Sequence, residues 1–348
     1  MPDKKLLTIK DLKITYKSNG SRTDVLHKIS LQIKPGEAVG IVGESGSGKS
    51  QTALSVMQLI EGRPGITGGS IQFNGKSLTG LSENELEKMR GHEIGIIFQD
   101  ARASLIPYQT IKEQVLDTHK SLANGRSKQQ MLDEAARLLE RMNFRDPKRV
   151  LGSYPNQLSG GECQRAYIML ALLGEPKLMI ADEPTSSLDP VTSYKLIDLL
   201  TEICKEKAIA LILISHDLAE IVRTTDYVYV FFNGHIVEEF PSEWVRNDLQ
   251  EPLHPYSRFL FSLFKGEAFA ALKNKKPGNV PVDLPWEAKN GTINCGCIYR
   301  GRCSLIKELD ERLQAKCEEQ HPHLQPGHEQ GKVACWAAVE TEKEQHEG

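Results

Sequence analysis

The 348-residue chain lacks three features that would each assign it to a class at once. No apolar run approaches the length of ~20 residues that a membrane-crossing helix needs. The longest runs, such as 209–214 and 227–232, are only as long as strands. No apolar segment follows its first five residues, which predicts that no secretory signal is present. It also has no excess of basic charge, since its formal net charge is −3. These absences argue against a membrane-spanning, an exported and a nucleic-acid-binding chain.

What is present is typical of a soluble globular protein of roughly two domains. Charged residues make up 26% and hydrophobic residues 39% of the chain. Seven cysteines are present, and five of them follow residue 294. In a chain without a secretory signal, that clustering favours a metal site over disulfides.

Residues 43–50, Gly-Glu-Ser-Gly-Ser-Gly-Lys-Ser, fit the pattern G-x-x-x-x-G-K-[ST] of a phosphate-binding loop. A buried strand is predicted before it, over 38–42, and a helix after it, over Ser50–Ile60. The glycines let backbone N–H groups point at phosphate oxygens. We expect Lys49 to reach the β- and γ-phosphates of a nucleotide and the Ser50 hydroxyl to bind Mg²⁺. The alternative, a glycine-rich turn followed by Lys-Ser by chance, leaves the flanking strand and helix unexplained.

A second pattern places two acids at the end of an apolar strand, over 177–183. Buried strands rarely end in paired carboxylates unless a cation or a water needs them. Asp182 is suited to Mg²⁺ and Glu183 to polarising the attacking water. The alternative is a cap for the following helix.

A third pattern, Leu158-Ser-Gly-Gly-Glu162, predicts a second anion site. Ser159 and Glu162 form a capping box that opens a helix over Cys163–Leu173. Gly160 and Gly161 leave the backbone bare at that helix N-terminus. One nucleotide rarely needs two phosphate-binding sites from the same chain. We therefore interpret this second site as contacting the γ-phosphate of a nucleotide bound to a partner's phosphate loop.

Periodicity along the chain predicts an α/β fold that is split by helices. Edge strands are predicted at Leu6–Ile9 and Leu12–Tyr16, a hairpin at Asn74-Gly75, and helices over about 100–165, one of them at Ile111–Leu122. Strand–helix alternation resumes at Leu178, with strands predicted at Ala210–Ile214 and Tyr227–Phe232 and a hairpin at Asn233-Gly234. We therefore predict one domain over 1–242, with its helical insertion at about 100–165, and a C-terminal module over 243–348. A loosely structured linker at Lys273–Gly291 and a disordered acidic tail from Glu340 are expected within that module.

Together these motifs resemble an ATP-binding cassette, the nucleotide-binding subunit of ABC transporters, over roughly residues 5–265. The resemblance implies a P-loop NTPase (RecA-like) core with an antiparallel β subdomain. It implies that Tyr16 stacks on adenine, that Gln99 contacts Mg²⁺ and the lytic water, and that His216 holds the γ-phosphate. Residues 186–189 would form the loop that communicates across a dimer, with Asp189 at the partner's ATP. Taken alone, Tyr16 could be an ordinary strand aromatic and His216 a helix cap. The expected ATP contacts in the loop are Gly43, Glu44, Ser45, Gly46, Ser47, Gly48, Lys49, Ser50 and Gln51.

Further stretches, among them Gly68–Ile71 and Pro252–Ser257, resemble the peptide/nickel importers, the oligopeptide and dipeptide permease ATPases. Gln51-Thr52 and Gly91 resemble the first of that system's two paralogous ATPases. The implied partners are the second paralog in a heterodimer, two transmembrane permease subunits and an extracytoplasmic solute-binding protein, with no nucleic acid. The implied place is the cytoplasmic face of the inner membrane. Ala101-Arg-Ala103 departs from the family's usual proline-containing run, in a loop that would face the permease.

Three other classes of ATPase share some of these motifs. A DNA-repair or chromosome-maintenance ATPase would carry a long coiled coil or zinc modules between its two cradles. Only roughly a hundred residues separate Ser50 from Leu158, and they form no sustained heptads. A translation-linked ATPase would have two cassettes, and a P-loop kinase would not need the second cradle.

The C-terminal cysteines resemble the tail of the same importer family. Gly296-Cys297, Arg302-Cys303 and Ala334-Cys335 match its pattern, and Cys317 completes a set of four. Four thiolates can hold a [4Fe–4S] cluster or a zinc ion. Reduced thiols packed around Ile298, Tyr299 and Trp336 are the remaining alternative. Cys295 could substitute for Cys297, and a short helix is expected over Leu305–Leu313.

Overall fold

A computed structural model describes residues 5–18, 21–60, 64–122, 125–186, 188–247, 251–262, 295–327 and 330–347. The linker predicted at Lys273–Gly291 and Ser187 of the predicted communication loop lie outside these residues. The chain divides into two units, residues 1–39 with 50–215 and residues 40–49 with 216–348. The predicted boundary at residue 242 stays a prediction.

Twelve strands are assigned within the described residues. They are β1 (Leu7–Ser18), β2 (Ser21–Ile33), β3 (Ala38–Gly43), β4 (Pro64–Phe73), β5 (Lys76–Ser77), β6 (Ile94–Ile97), β7 (Leu178–Asp182), β8 (Ala210–Ile214), β9 (Tyr227–Phe232), β10 (His235–Pro241), β11 (Gln325–Pro326) and β12 (Lys332–Val333).

The α-helices are numbered in the same way. They are α1 (Lys49–Val56), α2 (Glu83–Met89), α3 (Ala101–Ser104), α4 (Ile111–Leu122), α5 (Lys128–Arg141), α6 (Pro147–Gly152), α7 (Gly160–Leu172), α8 (Pro190–Glu206), α9 (Leu218–Thr224), α10 (Glu243–Arg246), α11 (described over 255–262), α12 (Glu311–Glu319) and α13 (Trp336–Glu347).

The first unit contains an antiparallel sheet in the order β2-β1-β4-β5 and the parallel strands β6, β7 and β8. The predicted antiparallel subdomain is thus confirmed. The two strands predicted at Leu6–Ile9 and Leu12–Tyr16 are one strand, β1. The pairing register between β1 and β2 shifts at Asp11, where a φ of 50° produces a β-bulge. Gly69 lies against this bulge, because a Cβ there would be 2.4 Å from the Asp11 carbonyl oxygen.

The helical insertion, α3 to α7, belongs to the first unit. Helix α4 has the predicted bounds, Ile111–Leu122. The predicted Ser50–Ile60 helix is shorter, since α1 ends at Val56 and Gln58 takes a φ of 53°. Helix α7 begins at Gly160 rather than Cys163, because its capping residue is Ser159 itself.

The second unit contains β9, β10, β11 and β12 in an antiparallel arrangement, with β3 beside β9. Asn233 and Gly234 close the β9–β10 hairpin with positive φ, as the sequence predicts. The expectation of a disordered tail from Glu340 is wrong, because helix α13 continues through it to Glu347. The helix expected over Leu305–Leu313 is not continuous. A 3₁₀ turn occupies Ser304–Lys307, and α12 starts afresh at Glu311 because Asp310 caps it through the Leu313 N–H.

Candidate nucleotide site and cysteine pocket

The phosphate loop follows a buried strand, as predicted. Strand β3 is buried from Ala38 to Val42, and the loop leads directly into α1. Gly43, Gly46 and Gly48 take φ values of 149°, 77° and 99°, which side chains rarely adopt. At Gly43 a Cβ would also lie 2.1 Å from the Phe231 carbonyl oxygen. The loop therefore requires glycine at this position for two independent reasons.

The polar groups inside the loop are arranged for an anion. Lys49 is buried, and its Nζ donates to the carbonyl oxygens of Gly43 and Glu44 over 2.8 and 2.9 Å. The Ser47 Oγ is buried and has no hydrogen-bond partner among the described residues. A buried hydroxyl without a partner is costly unless a ligand supplies one. The loop therefore fits the phosphates of a nucleotide.

Tyr16 lies beside the helix that follows the loop. Its hydroxyl donates to Gln51 Oε1 over 2.5 Å, which connects β1 to α1. Ser50 is exposed on the first turn of α1, where its hydroxyl is open to a cation.

Gln99 and Glu183 meet at the ends of the parallel strands β6 and β7. The Gln99 Nε2 donates to Glu183 Oε2 over 3.1 Å. Glu183 takes a φ of 46°, and its N–H donates to the Ile214 carbonyl oxygen over 2.9 Å. This left-handed turn orients Glu183 away from the strand direction. Asp182, the last residue of β7, is half-buried next to it.

The N-terminus of α7 has the predicted capping box. The Ser159 hydroxyl accepts the Glu162 N–H over 3.3 Å, and Glu162 Oε2 accepts the Ser159 N–H over 2.9 Å. The Ser159 N–H is the main cause that lowers the pKa of Glu162 below its usual value. First-turn N–H groups have no partner within a helix. Those of Gly160 and Gly161 are therefore available to an external anion.

A cleft of about 660 Å³ adjoins this helix start. Gln99, Arg102, Gly160 and Gln164 are among the residues that line it. The Gln164 side chain is buried, and its Nε2 has no hydrogen-bond partner among the described residues. We call the N-terminus of α7, residues 159–162, the α7 cradle. In the first unit, Gln99 and the α7 cradle thus lie at the same surface.

Asp189 and His216 occupy helix starts. Asp189 is the N-cap of α8 and accepts the Thr192 N–H over 3.1 Å, while its contact with Thr192 lowers its pKa. His216 is exposed after β8, and the cap of α9 is its neighbour Asp217, which accepts the Ala219 N–H over 2.8 Å. His216 is therefore not the capping residue.

The four predicted cysteines line one cavity in the second unit. Cys297, Cys303, Cys317 and Cys335 share it with apolar side chains such as Leu305 and Trp336. Cys295, the spare thiol, is exposed and does not line it.

Two backbone contacts hold the Cys297 loop against α12. The Cys297 N–H donates to the Cys317 carbonyl oxygen over 2.7 Å. Gly296 takes a φ of 78°, and a Cβ there would lie 2.3 Å from the Glu318 carbonyl oxygen. The Gly-Cys pattern noted in the sequence therefore has a steric reason.

Burial is the main cause that raises the pKa of Cys297, Cys317 and Cys335 to about 11. Thiols of this kind stay protonated at neutral pH unless a metal replaces the proton. Within the described residues, no group of three or more potential ligands is placed to hold a metal ion. Four cysteine sulfurs suit a soft metal. In this structure, however, they are not placed to form a coordination shell.

Comparison with known proteins assigns the chain to a family. The ABC transporter family model matches residues 26–186. The oligopeptide transport ATP-binding protein OppD of Escherichia coli (strain K12) is 36% identical over 312 residues, 87% of each chain. The probable peptide ABC transporter ATP-binding protein y4tR of Sinorhizobium fredii (strain NBRC 101917 / NGR234) is 34% identical over 341 residues, 97% of this chain and 96% of the relative. The chain belongs to the ABC transporter family, as an ATP-binding subunit that hydrolyses ATP to drive transport.

Solved structures agree on the fold. The dimeric, ADP- and Pi-bound structure of the ATP-binding cassette MJ0796 superimposes with a TM-score of 0.61 at 30% identity, covering 68% of this chain and 98% of that one. The structure of cbiO1 from Clostridium perfringens gives a TM-score of 0.59 at 22% identity, covering 78% and 99%. The predicted P-loop ATPase fold, ATP and Mg²⁺ are thereby confirmed. Nothing in these findings favours a DNA-associated ATPase.

Proposed function

We propose that this chain powers an importer of di- or oligopeptides, or of a related small solute such as a nickel chelate. The observation that carries the proposal is the 36% identity to an oligopeptide transport ATP-binding protein over 87% of both chains. Among the described residues, no helix is both long and apolar enough to cross a bilayer. We assign the import path to two permease subunits and place this chain at the cytoplasmic face of the inner membrane, as a peripheral subunit.

The proposed nucleotide site divides the reaction among the predicted residues. Lys49 and the glycine turns of residues 43–48 bind the phosphates, and Tyr16 stacks on adenine. Ser50, Asp182 and Gln99 would hold Mg²⁺, and the ion would supply charge neutralisation at the phosphates.

Glu183 is the proposed base that orients water. Its hydrogen bond from Gln99 supports this role, because that contact places an amide where it can hold the same water. His216 contacts the γ-phosphate.

The α7 cradle is proposed to act on the nucleotide of a second, paralogous ATPase. Ser159, Gly160, Gly161 and Glu162 would face that nucleotide, with Asp189 beside them. The exposure of Ser159 and Gly160 at the start of α7 supports this assignment.

The loop 105–110 is the proposed contact with the permease. Ile106 is 36% and Tyr108 79% exposed, an unusual display of large apolar side chains. The buried Gln114 fixes this loop, because its Oε1 accepts the Ile106 N–H and its Nε2 donates to the Ile106 carbonyl oxygen, both over 3.1 Å. A rigid apolar loop of this kind suits a helix end of a membrane subunit.

The proposal is tested by reconstitution. The chain is co-expressed with its paralog and the two permease subunits, the complex is placed in vesicles, and uptake of a labelled tripeptide is compared with uptake of a nickel chelate in the presence of the extracytoplasmic binding protein. ATP-dependent peptide uptake is expected. A complex that hydrolyses ATP but moves neither solute would contradict the proposed cargo class.

We further propose that Cys297, Cys303, Cys317 and Cys335 hold a [4Fe–4S] cluster, with a zinc ion as the alternative. The convergence of four thiols on one cavity supports a metal centre. The cavity measures about 20 Å³, so the cluster requires a larger rearrangement of its walls than a single ion does. The group would act structurally, by cross-linking the 297–303 loop, α12 and the start of α13.

Anaerobic purification with iron supplied tests this assignment. Brown protein with equal iron and acid-labile sulfide is expected. Colourless protein with one equivalent of zinc would select the alternative, and protein with neither metal would leave four reduced thiols as the packing of this segment.

A further inference from the structure

An arginine from the C-terminal part of the chain holds the phosphate loop. The Arg302 guanidinium donates to both carboxylate oxygens of Glu44, over 3.0 Å from Nη1 and 2.7 Å from Nη2. The two residues are 258 positions apart in sequence. Bidentate arginine–carboxylate pairs fix orientation as well as charge, because two parallel hydrogen bonds share one plane.

Aromatic rings hold the arginine in place. The Arg302 guanidinium lies 5.5 Å from the centre of the Phe232 ring and 5.8 Å from that of Tyr299. These two rings contact each other edge to face, with their centres 5.2 Å apart. These cation–π contacts already restrict the Arg302 side chain, so little of its conformational entropy is lost when it pairs with Glu44.

Glu44 is held at a second point by the same region. Its backbone N–H donates over 2.9 Å to the hydroxyl of Tyr256, a side chain with no exposed surface. Its carbonyl oxygen accepts from Lys49 Nζ over 2.9 Å. The residue that positions the lysine of the loop is therefore fixed through its side chain and its backbone.

Charge gives this arrangement a direct effect on nucleotide. Glu44 places a carboxylate within a loop whose ligand is a polyphosphate, and like charges at short range repel. Arg302 neutralises that carboxylate and turns it toward the C-terminal segment.

We propose that Arg302 is a positioning residue for ATP binding, which holds Glu44 in place and neutralises it so that the phosphate loop accepts nucleotide. The role concerns the affinity of this chain for ATP and is independent of the solute transported. The proposed role leaves the chemical step unchanged, because it acts on Glu44 and the phosphate loop and not on the base Glu183.

The test uses the full-length chain and isothermal titration with a non-hydrolysable ATP analogue and Mg²⁺. Arg302→Ala is expected to weaken binding roughly 5- to 10-fold, as for a partly exposed ion pair whose loss leaves an unpaired charge beside the ligand. Arg302→Lys retains the charge but not the paired hydrogen bonds, and an intermediate loss is expected. In the assembled ATPase, the KM for ATP should rise while kcat is retained.

Glu44→Gln provides the decisive comparison. With the carboxylate removed, Arg302→Ala should have little further effect, so the losses of the double variant are not additive. Arg312→Ala is the matched control, because it removes an exposed arginine whose partner is Glu340, on α13.

Three results would overturn the proposal. They are an unchanged affinity in Arg302→Ala, an equal loss in Arg312→Ala, and additive losses in the double variant. A thermal unfolding scan of each variant separates a lost contact from a lost fold, and Arg302→Lys keeps the test decisive if the alanine variant unfolds.

Discussion

The side-chain amide of Gln99 donates a hydrogen bond to the carboxylate of Glu183 over 3.1 Å. The two residues are 84 positions apart and end neighbouring parallel strands, β6 and β7. An amide and a carboxylate at this distance can bind one water between a metal ion and the base that activates it.

The first prediction concerns Glu183. Glu183→Gln retains the shape and the Gln99 contact but removes the negative charge that orients water. We expect ATP binding to survive and turnover to fall at least ~10²-fold. Single-turnover hydrolysis by the assembled ATPase provides the measurement. Glu206→Gln, which loses an exposed pair with Arg141, is the control, and comparable turnover in Glu183→Gln would transfer the role of base to His216.

The second prediction concerns assembly. The isolated chain should be mostly monomeric and slow, and its ATPase should rise when the paralog and permease subunits are added. Gly160→Asp should distinguish the isolated chain from the assembled complex. The single chain should tolerate the substitution, because a Cβ at Gly160 meets no atom within 4 Å and acids suit the first turn of a helix. Binding of ATP by the single chain should be retained, while activity of the complex falls at least ~10-fold through repulsion of the partner's phosphate.

Gly152→Asp is the matched control for this prediction, since Gly152 also faces open space. Cargo-responsive activity from the isolated chain, or normal activity of the Gly160→Asp complex, would contradict the heteromeric arrangement.

The third prediction concerns Gly296. Gly296→Ala places a Cβ against the carbonyl oxygens of Glu318 and Cys317 at a φ of 78°. The expected cost is about 2 kcal/mol of unfolding free energy, measured by denaturant titration. Gly301→Ala, in the same segment but with no atom within 4 Å, should change stability by less than about 0.5 kcal/mol. Equal effects would mean that the close approach at Gly296 is not maintained in solution.

The fourth prediction concerns Glu238, a buried carboxylate of β10. It accepts the N–H groups of Leu253 over 2.6 Å and of His254 over 3.2 Å. Burial raises its pKa from 4.5 to about 7, despite the opposing hydrogen bonds from the two backbone groups and the charge of Arg258.

Because this pKa is higher in the folded state, the folded chain binds the proton more tightly. The stability contributed by Glu238 is therefore fully present below pH 4.5 and is lost as the pH rises through about 7. Thermal unfolding of the wild type should show this decline, and Glu238→Gln should flatten it. An unchanged pH slope in the variant would show that the carboxylate titrates normally.

Local patterns predicted much of the fold. Helix α4 and strands β8 and β9 have the bounds expected from apolar periodicity and turn residues, because those signals are contained within each segment. The bulge at Asp11 was missed because its cause is the backbone of Gly69, on another strand. The early end of α1 was missed because the left-handed Gln58 carries no glycine or proline signal.

The candidate site divides in the same way. The phosphate loop, the α7 capping box and the acids after β7 are short motifs, so the sequence predicted them residue by residue. The contact of Arg302 with Glu44 could not be predicted, because it depends on two distant parts of the chain meeting. In the sequence, Arg302 is marked only by its position before Cys303, and Tyr256 only by its place in the family-like stretch Pro252–Ser257.

The long separation between Glu44 and Arg302 also has a consequence for synthesis. The phosphate loop leaves the ribosome early, whereas the residues that hold Glu44 are translated 212 and 258 positions later. Contacts so distant in sequence form late in folding, after the entropy of closing the intervening chain has been overcome. A nascent chain that ends before Arg302 therefore carries the complete loop sequence without its support, and tight ATP binding should appear only when translation has passed the cysteine segment.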